Sequence, residues 1–366
     1  MATEESVWQP DWTVPPGDVL SEALSDRGMS QSELARRMDR PTKTINEIVN
    51  GKAAITPDTA IQLERALGIS ARLWNGLETQ YREHLAQQRA DAELEAAADW
   101  AKEFPIRDLI RHGVIAEAPA KGRSVASLLS FFRVSSPAAW ERQWLAPAAA
   151  FRNSPTFRSS PKSVAAWLRW GEIEAASSAT APFDAAKFRD AVRQARALTR
   201  REPFLQIIER AKELFAAAGV VLVLTPELKG THLSGAARWL APDRALIQLS
   251  LRHKTDDQFW FSLFHEAAHI LDGKGRDYLD AADADGGSLQ AEHDADRFAR
   301  DTLIPPDAWT AFTSALEVSE DAVRIFAEAQ GIAPGIVVAR LHREDLLNRS
   351  HLTSLKKRIS WPKPLV

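Results

Sequence analysis

Three successive patterns of apolar and polar positions run along the chain. From about 15 to 90, apolar residues recur at helical spacing in short blocks. Val19, Leu20, Ala23 and Leu24 form one stripe, Gly28 stops it, and Ser30 is placed to cap the next helix. That helix, 31–38, has Leu34, Ala35 and Met38 on one side. A turn over 39–41 leads to a helix over 42–49 with Ile45, Ile48 and Val49 inward. From about 90 to 200 the sequence is Ala-rich and helical, with Trp100, Trp140, Trp144, Trp167 and Trp170 as core anchors. Ser-Pro breaks at Ser136, Ser154 and Ser160 punctuate it. Beyond 203 a helix runs to 218 and stops at Gly219. Strand-like runs follow at 220–225, 234–240 and 245–250, with Pro226 and Pro242–Asp243 as turn signals. The rest reads as helix from 256 to 342, broken near 284–288. The expected fold is mostly α with a small β-sheet (α+β), divided at 1–90, 91–202 and 203–366.

Composition narrows the chemistry. There is no Cys, which excludes disulfides, thiol nucleophiles and thiolate metal sites. A net charge of -3 leaves no global field for nucleic acid, so any such contact must come from a local patch. Residues 1–16 lack the basic start and apolar run of a secretory signal, and no apolar run approaches the roughly 20 residues that span a bilayer. The expected location is the cytoplasm, with no membrane partner.

The helix pair at 31–49 has the proportions of a helix-turn-helix, whose second helix enters the major groove. Its outward residues Thr42, Lys43, Thr44, Asn46 and Glu47 can bond base edges or phosphates, and Gln31 stands where a helix N-terminus holds a phosphate. Between Arg27 and Lys52, six basic residues (Arg27, Arg36, Arg37, Arg40, Lys43, Lys52) oppose three acidic ones (Glu33, Asp39, Glu47). Periodicity alone equally fits an all-α domain with a solvated polar face. The segment is more specific than its period: with 55–81 (ITPDTAIQLERALGISARLWNGLETQY) it resembles the Xre-type helix-turn-helix family, in the branch that includes HigA-type antitoxins. The resemblance covers about 15–90. It implies a double-stranded DNA operator as partner and a homodimer that reads two half-sites.

Residues 261–271 read FSLFHEAAHIL. His265 and His269 stand four apart on a helix, so both imidazoles leave the same face and can take adjacent corners of a tetrahedral site. Glu266 stands between them, where a general base can take a proton from a water that a metal acidifies. Phe261, Leu263, Phe264, Ala267, Ala268 and Ile270 mark a buried helix, where two His and a Glu are costly unless paired or ligated. The bland alternative is a pair of core histidines bonded to backbone. The extended pattern with a third His is excluded, because 272 and 275 are Asp and Gly. The third ligand then falls to the helix containing 289–300, LQAEHDADRFAR. Glu292 is the leading candidate, with Asp296 one turn on to orient a ligand histidine. His293 and Asp294 are competitors.

HEAAH followed by EHDADRFARDTLIP resembles the ImmA/IrrE metallopeptidase family over about 203–345. The resemblance implies a zincin-like domain with one zinc per chain on His265, His269 and Glu292, and Glu266 as general base. A His₂Glu set also accepts other divalent metals. It further implies a protein substrate: an Xre-type repressor, a toxin, or the chain itself. The strand at 234–240 is the candidate edge for an extended peptide. His232, His253 and Tyr278 are candidates for stabilising the oxyanion. The C-terminal pair 321–329 and 334–342 also has two helices and a turn, but Ile336, Val337, Val338 and Leu341 read as packing, and the basic 356–358 as a solvated end. The competing function is a repressor or antitoxin that acts by binding alone. A protease whose first domain only dimerises fits the polar face at 42–47 less well.

Overall fold

The computed structural model describes residues 13–116, 121–145, 159–200, 203–273, 287–314 and 318–360. They fall into two compact units, Met1–Ala97 and Ala98–Val366.

The first unit is helical throughout its described residues: α1 (Pro16–Asp26), α2 (Gln31–Arg37), α3 (Thr42–Val49), α4 (Pro57–Leu67) and α5 (Ala71–Ala96). Ser30 caps α2 as its sequence predicts, accepting from Glu33 N at 3.1 Å. Thr56 and Ser70 cap α4 and α5 in the same way. Leu20, Leu34, Ile45, Leu63 and Trp74 close the core. Gly17 permits it: a Cβ there would meet Val49 O at 2.3 Å, so α1 lies almost directly on the end of α3. Buried Glu78 of α5 accepts from Ile55 N at 3.1 Å and from Arg82 Nε at 2.6 Å. The helix continues past the expected boundary at 90, and the break in packing falls at 97.

The second unit is built on a sheet of three described strands, β1 (Val220–Leu224), β2 (Gly235–Ala241) and β3 (Arg244–Leu249), in the order β1-β3-β2. β3 runs parallel to β1 and antiparallel to β2, so β2 takes the edge. The turn at Pro242 and Asp243 is where the sequence places it. Residues alternate between the two faces. Leu222, Ile247 and Leu249 join the main core with Phe264 and Ala267, and Val221, Val223 and Leu246 turn the other way, toward Ala175.

That second face corrects the three-domain expectation, in which 91–202 stood apart. The helix α10 (Pro161–Ala176) covers it. Val164, Ala165, Ala166, Trp167 and Leu168 are fully buried, so the helix has covering on several sides. Polar contacts tie it down. Gln248 Nε2 donates to Trp167 O and Thr225 Oγ1, both at 2.7 Å, and Arg238 donates to Glu172 Oε1 at 2.9 Å and Leu168 O at 2.7 Å. Arg244 donates to Ala175 O and Ser178 O, both at 2.6 Å. Before α10 come the helices α6 (Ala98–Lys102), α7 (Ile106–Arg111), α8 (Lys121–Phe132) and α9 (Pro137–Trp140); Phe104 from the turn after α6 and Phe132 of α8 each meet Trp140 of α9 edge to face. Ser136 and Ser160 cap their helices, and Ser154 lies outside the described residues. The helices α11 (Ala185–Leu198) and α12 (Phe204–Ala216) complete the main core through Phe188, Val192, Ile208 and Phe215.

On the first face lies α13 (Asp256–Asp272), followed by α14 (Gly287–Leu303), α15 (Pro306–Ser314), α16 (Glu320–Gln330) and α17 (Pro334–Arg343). Most of the expected break at 284–288 lies outside the described residues. Val323, Ala327, Val337, Val338 and Leu341 bury α16 and α17 in the core, which answers for their apolar pattern. Lys357 and Arg358 of the basic tail are exposed, as a solvated end would be, but the segment is tied down. Lys356 Nζ lies 3.1 Å from the buried Asp257, Asp256 Oδ1 accepts from Lys357 N at 2.9 Å, and Ile359 is buried. Two carboxylates at the start of α13 hold the tail. Among the described residues no single helix is long and apolar enough to cross a membrane.

Gly171 of α10 sits against the pinned Gln248: a Cβ would lie 2.0 Å from Oε1 and 2.2 Å from Cδ. Gly171→Ala must therefore break a buried hydrogen bond or push α10 off the sheet, at about 1–3 kcal/mol. The expected result is a melting temperature lowered by several degrees, read by Trp fluorescence; an unchanged melt would mean Gln248 is free to move.

Candidate metal centre and helix-turn-helix surface

The HExxH pattern lies on α13, which the sheet buries on its Leu263–Phe264–Ala267 side. Gly273, with φ 69°, ends the helix in the left-handed conformation that glycine tolerates. His265 and His269 leave the opposite side toward α14, with Nε2 atoms 3.1 Å apart. Glu292 reaches both: Oε2 is 3.3 Å from His265 Nε2, and Oε1 is 3.4 Å from His269 Nε2. One ligand atom from each of the three lies within 4.8 Å of the others. Zinc–nitrogen bonds of 2.0–2.1 Å at a tetrahedral angle put two ligand nitrogens about 3.3 Å apart, so the donor set and its spacing fit a zinc ion. Asp296, one turn beyond Glu292, accepts from His265 Nδ1 at 3.0 Å. This leaves Nε2 as the atom aimed at the shared point. Its other oxygen accepts from Arg343 of α17 at 2.6 Å.

His265, His269, Glu292 and Asp296 are thus brought together, and the competitors are not. Asp294 accepts from Gln290 at 3.1 Å and pairs with Arg297, while His293 is exposed. Of the oxyanion candidates, His232 lies 3.6 Å from Glu227, His253 lines a small cavity with Ser234 and Thr255, and Tyr278 lies outside the described residues.

Charge in the cluster follows from burial and pairing. Glu266 is 8% exposed, and burial pushes its carboxyl up to about 7, against the pull of His265. Without metal, burial opposes charge on His265, but its hydrogen bonds to Asp296 and Glu292 outweigh it and raise the imidazole to about 10. Burial lowers His269, and the hydrogen bond from His265 lowers Glu292. No periodicity or motif marks Gly235. It faces Glu266 from the edge strand: a Cβ there would meet Oε1 at 2.6 Å and Cγ at 2.7 Å. The chain can bring β2 this close only with a glycine at that position.

In the first unit, α2 and α3 present the expected surface. Thr42, Lys43, Asn46 and Lys52 are exposed, and Gln31, Thr44 and Glu47 half-buried. Several are already tied to one another. Asn46 Nδ2 donates to Gln31 Oε1 at 3.2 Å, and Lys43 lies 3.8 Å from Glu47. Arg40, one of the basic DNA-contact candidates, donates from Nε to Gln62 of α4 at 2.7 Å. Arg36 and Arg37 both pair with Glu33.

The shift at Glu266 predicts a pH dependence. With a folded pKa near 7 against an ordinary 4.5, the folded state holds this proton more tightly than the unfolded chain. The metal-free wild type therefore loses stability as pH rises from 4.5 through 7. Glu266→Gln cannot ionise, and any packing cost of its amide is the same throughout. Denaturant unfolding of both metal-free proteins at pH 5 and pH 8 should show the variant gaining roughly 2–3 kcal/mol on the wild type. A difference independent of pH would mean that the carboxyl is solvated.

Residues 20–74 match the helix-turn-helix family. The chain is 34% identical over 76 residues to the uncharacterized HTH-type transcriptional regulator YddM of Escherichia coli, spanning 21% of this chain and 81% of that protein. It is 37% identical over 76 residues to virulence-associated protein I of Dichelobacter nodosus, spanning 20% and 70%. A solved addiction-module antidote protein of the HigA family from Coxiella burnetii is 31% identical, with a TM-score of 0.21 over 23% of this chain and 91% of that one. With α2 and α3 at the centre of the matched residues, the chain belongs to the Xre-type helix-turn-helix family.

Proposed function

We propose that the chain is a DNA-binding regulator that carries a zinc-dependent endopeptidase. The observation behind the peptidase is the convergence of His265 Nε2, His269 Nε2 and Glu292 beside the buried carboxyl of Glu266. A purely structural site has no use for that fourth group. A zinc ion held by the three would supply Lewis acidity toward a peptide carbonyl and toward water. Glu266 takes a proton from water and returns it to the leaving amine. Asp296 holds His265 in the tautomer that frees Nε2. Beside Glu266, β2 pairs only with β3 among the described residues, and its open edge suits an extended peptide.

The reading of DNA rests on family membership and on the exposed polar face of α3. Thr44 and Asn46 read base edges, Lys43 and Lys52 neutralise phosphates, and a homodimer spans two half-sites. The resemblance to ImmA/IrrE peptidases points to a regulatory protein as substrate: a partner repressor, a toxin or the chain itself.

Elemental analysis of purified protein tests the centre first. About one zinc per chain is expected in wild type and Glu266→Gln, and none in His265→Ala. Zinc-loaded wild type, but not Glu266→Gln, should then create new ends in a proteome-derived peptide library read by mass spectrometry. A wild type that takes up no zinc would leave a regulator that acts by binding alone.

Binding selection from random DNA tests the first unit. Asn46→Ala and Thr44→Ala should weaken the selected site about 5- to 150-fold. Lys43→Ala and Lys52→Ala should weaken all DNA alike and flatten the salt dependence. Absence of any selected sequence would overturn the operator reading.

A further inference from the structure

From the geometry around α13 we infer that Arg343 is a positioning residue for the metal centre: one guanidinium fixes His265 from two sides. On one side Arg343 Nη2 donates to Asp296 Oδ2 at 2.6 Å, and Asp296 Oδ1 accepts from His265 Nδ1 at 3.0 Å. Both carboxylate oxygens are engaged, each by a different partner, so the plane of the carboxylate is set and the imidazole with it. On the other side the guanidinium carbon lies 4.7 Å over the ring of Phe261. Phe261 precedes His265 by one turn of α13, and their rings lie 6.4 Å apart, tilted by 33°. The arginine therefore touches two neighbours of the same histidine, one polar and one aromatic.

What places Arg343 is not the centre itself. It stands in the last turn of α17, whose Ile336, Val337, Val338 and Leu341 are buried in the main core. The hydrophobic side of the helix sets its position, and the centre receives the side chain that emerges at its end. Arg343 is itself 59% exposed, so it carries little of the packing. A planar guanidinium can donate to a carboxylate and stack on a ring at once, and a lysine ammonium cannot do both in this geometry.

The inference rests on the proposed metal reading, and the test separates the two. Zinc affinity of the full chain is measured by competition with a chromophoric chelator, for wild type, Arg343→Met, Arg343→Lys, Asp296→Asn and the Asp296→Asn/Arg343→Met double variant. Arg343→Met should bind zinc about 10- to 100-fold more weakly, as losses of outer partners do, while the metal-free protein melts with the wild type. Arg343→Lys should recover only part of the affinity. In the Asp296→Asn background, Arg343→Met should cost much less, because the link it acts through is gone. The cobalt(II) form of Arg343→Met should show a visible absorption spectrum different from that of wild type. Equal zinc affinity in Arg343→Met and wild type overturns the inference alone, as does a loss that persists in full without Asp296. A wild type that binds no zinc overturns the metal reading, and this inference with it.

Discussion

A three-stranded sheet with two apolar faces cannot hide either face by itself. β3 is central, with Ala245, Leu246, Ile247, Gln248 and Leu249 all buried, so water has to be excluded from both sides of it. That requirement organises the second unit. One face takes α13 and the other takes α10, and the remaining helices pack around this sandwich. The two covers are unlike in their polar content. On the α10 side, Arg238, Arg244 and Gln248 reach from the sheet to backbone carbonyls and to Glu172. On the α13 side the contact is apolar, except at Glu266.

The chemistry follows from where the sandwich leaves α13. Its Leu263–Phe264–Ala267 side is committed to the sheet, so His265 and His269 emerge on the other side, where α14 supplies Glu292 and Asp296. Glu266 falls between the two directions, against the backbone of β2. It ends up buried with a raised pKa because Gly235 lets the strand approach to within a side chain's width. Burial, proximity to the two histidines and an open strand edge arise from one packing arrangement. The first unit solves a simpler problem. A core of Leu34, Ile45, Leu63 and Trp74 fixes α2 against α3, and the polar residues left outside are those a helix-turn-helix presents.

What depends on near neighbours is legible along the chain. Ser30, Thr56, Ser70, Ser136 and Ser160 cap helices because capping is a contact over three residues, and the three strands and the turn at Pro242 are set by local pattern. The pairing of His265 with His269 follows from a four-residue helical spacing, and Glu292 with Asp296 from the same rule. Whatever required distant segments to meet came only with the folded packing. Whether 91–202 stood apart was not readable, because an Ala- and Trp-rich helix looks the same whether it covers its own core or another segment's sheet. The basic tail gave no sign that Asp256 and Asp257, about 100 residues earlier, would hold it. That Arg40 would meet Gln62 of α4, 22 residues on, was equally out of reach. Gly235 and Arg343 carry no periodic signal at all. One matters because a strand backbone passes over a buried carboxylate, and the other because hydrophobic packing of α17 carries its last residue to Asp296. Local chemistry chose the candidate ligands, and the packing of distant apolar faces chose what surrounds them.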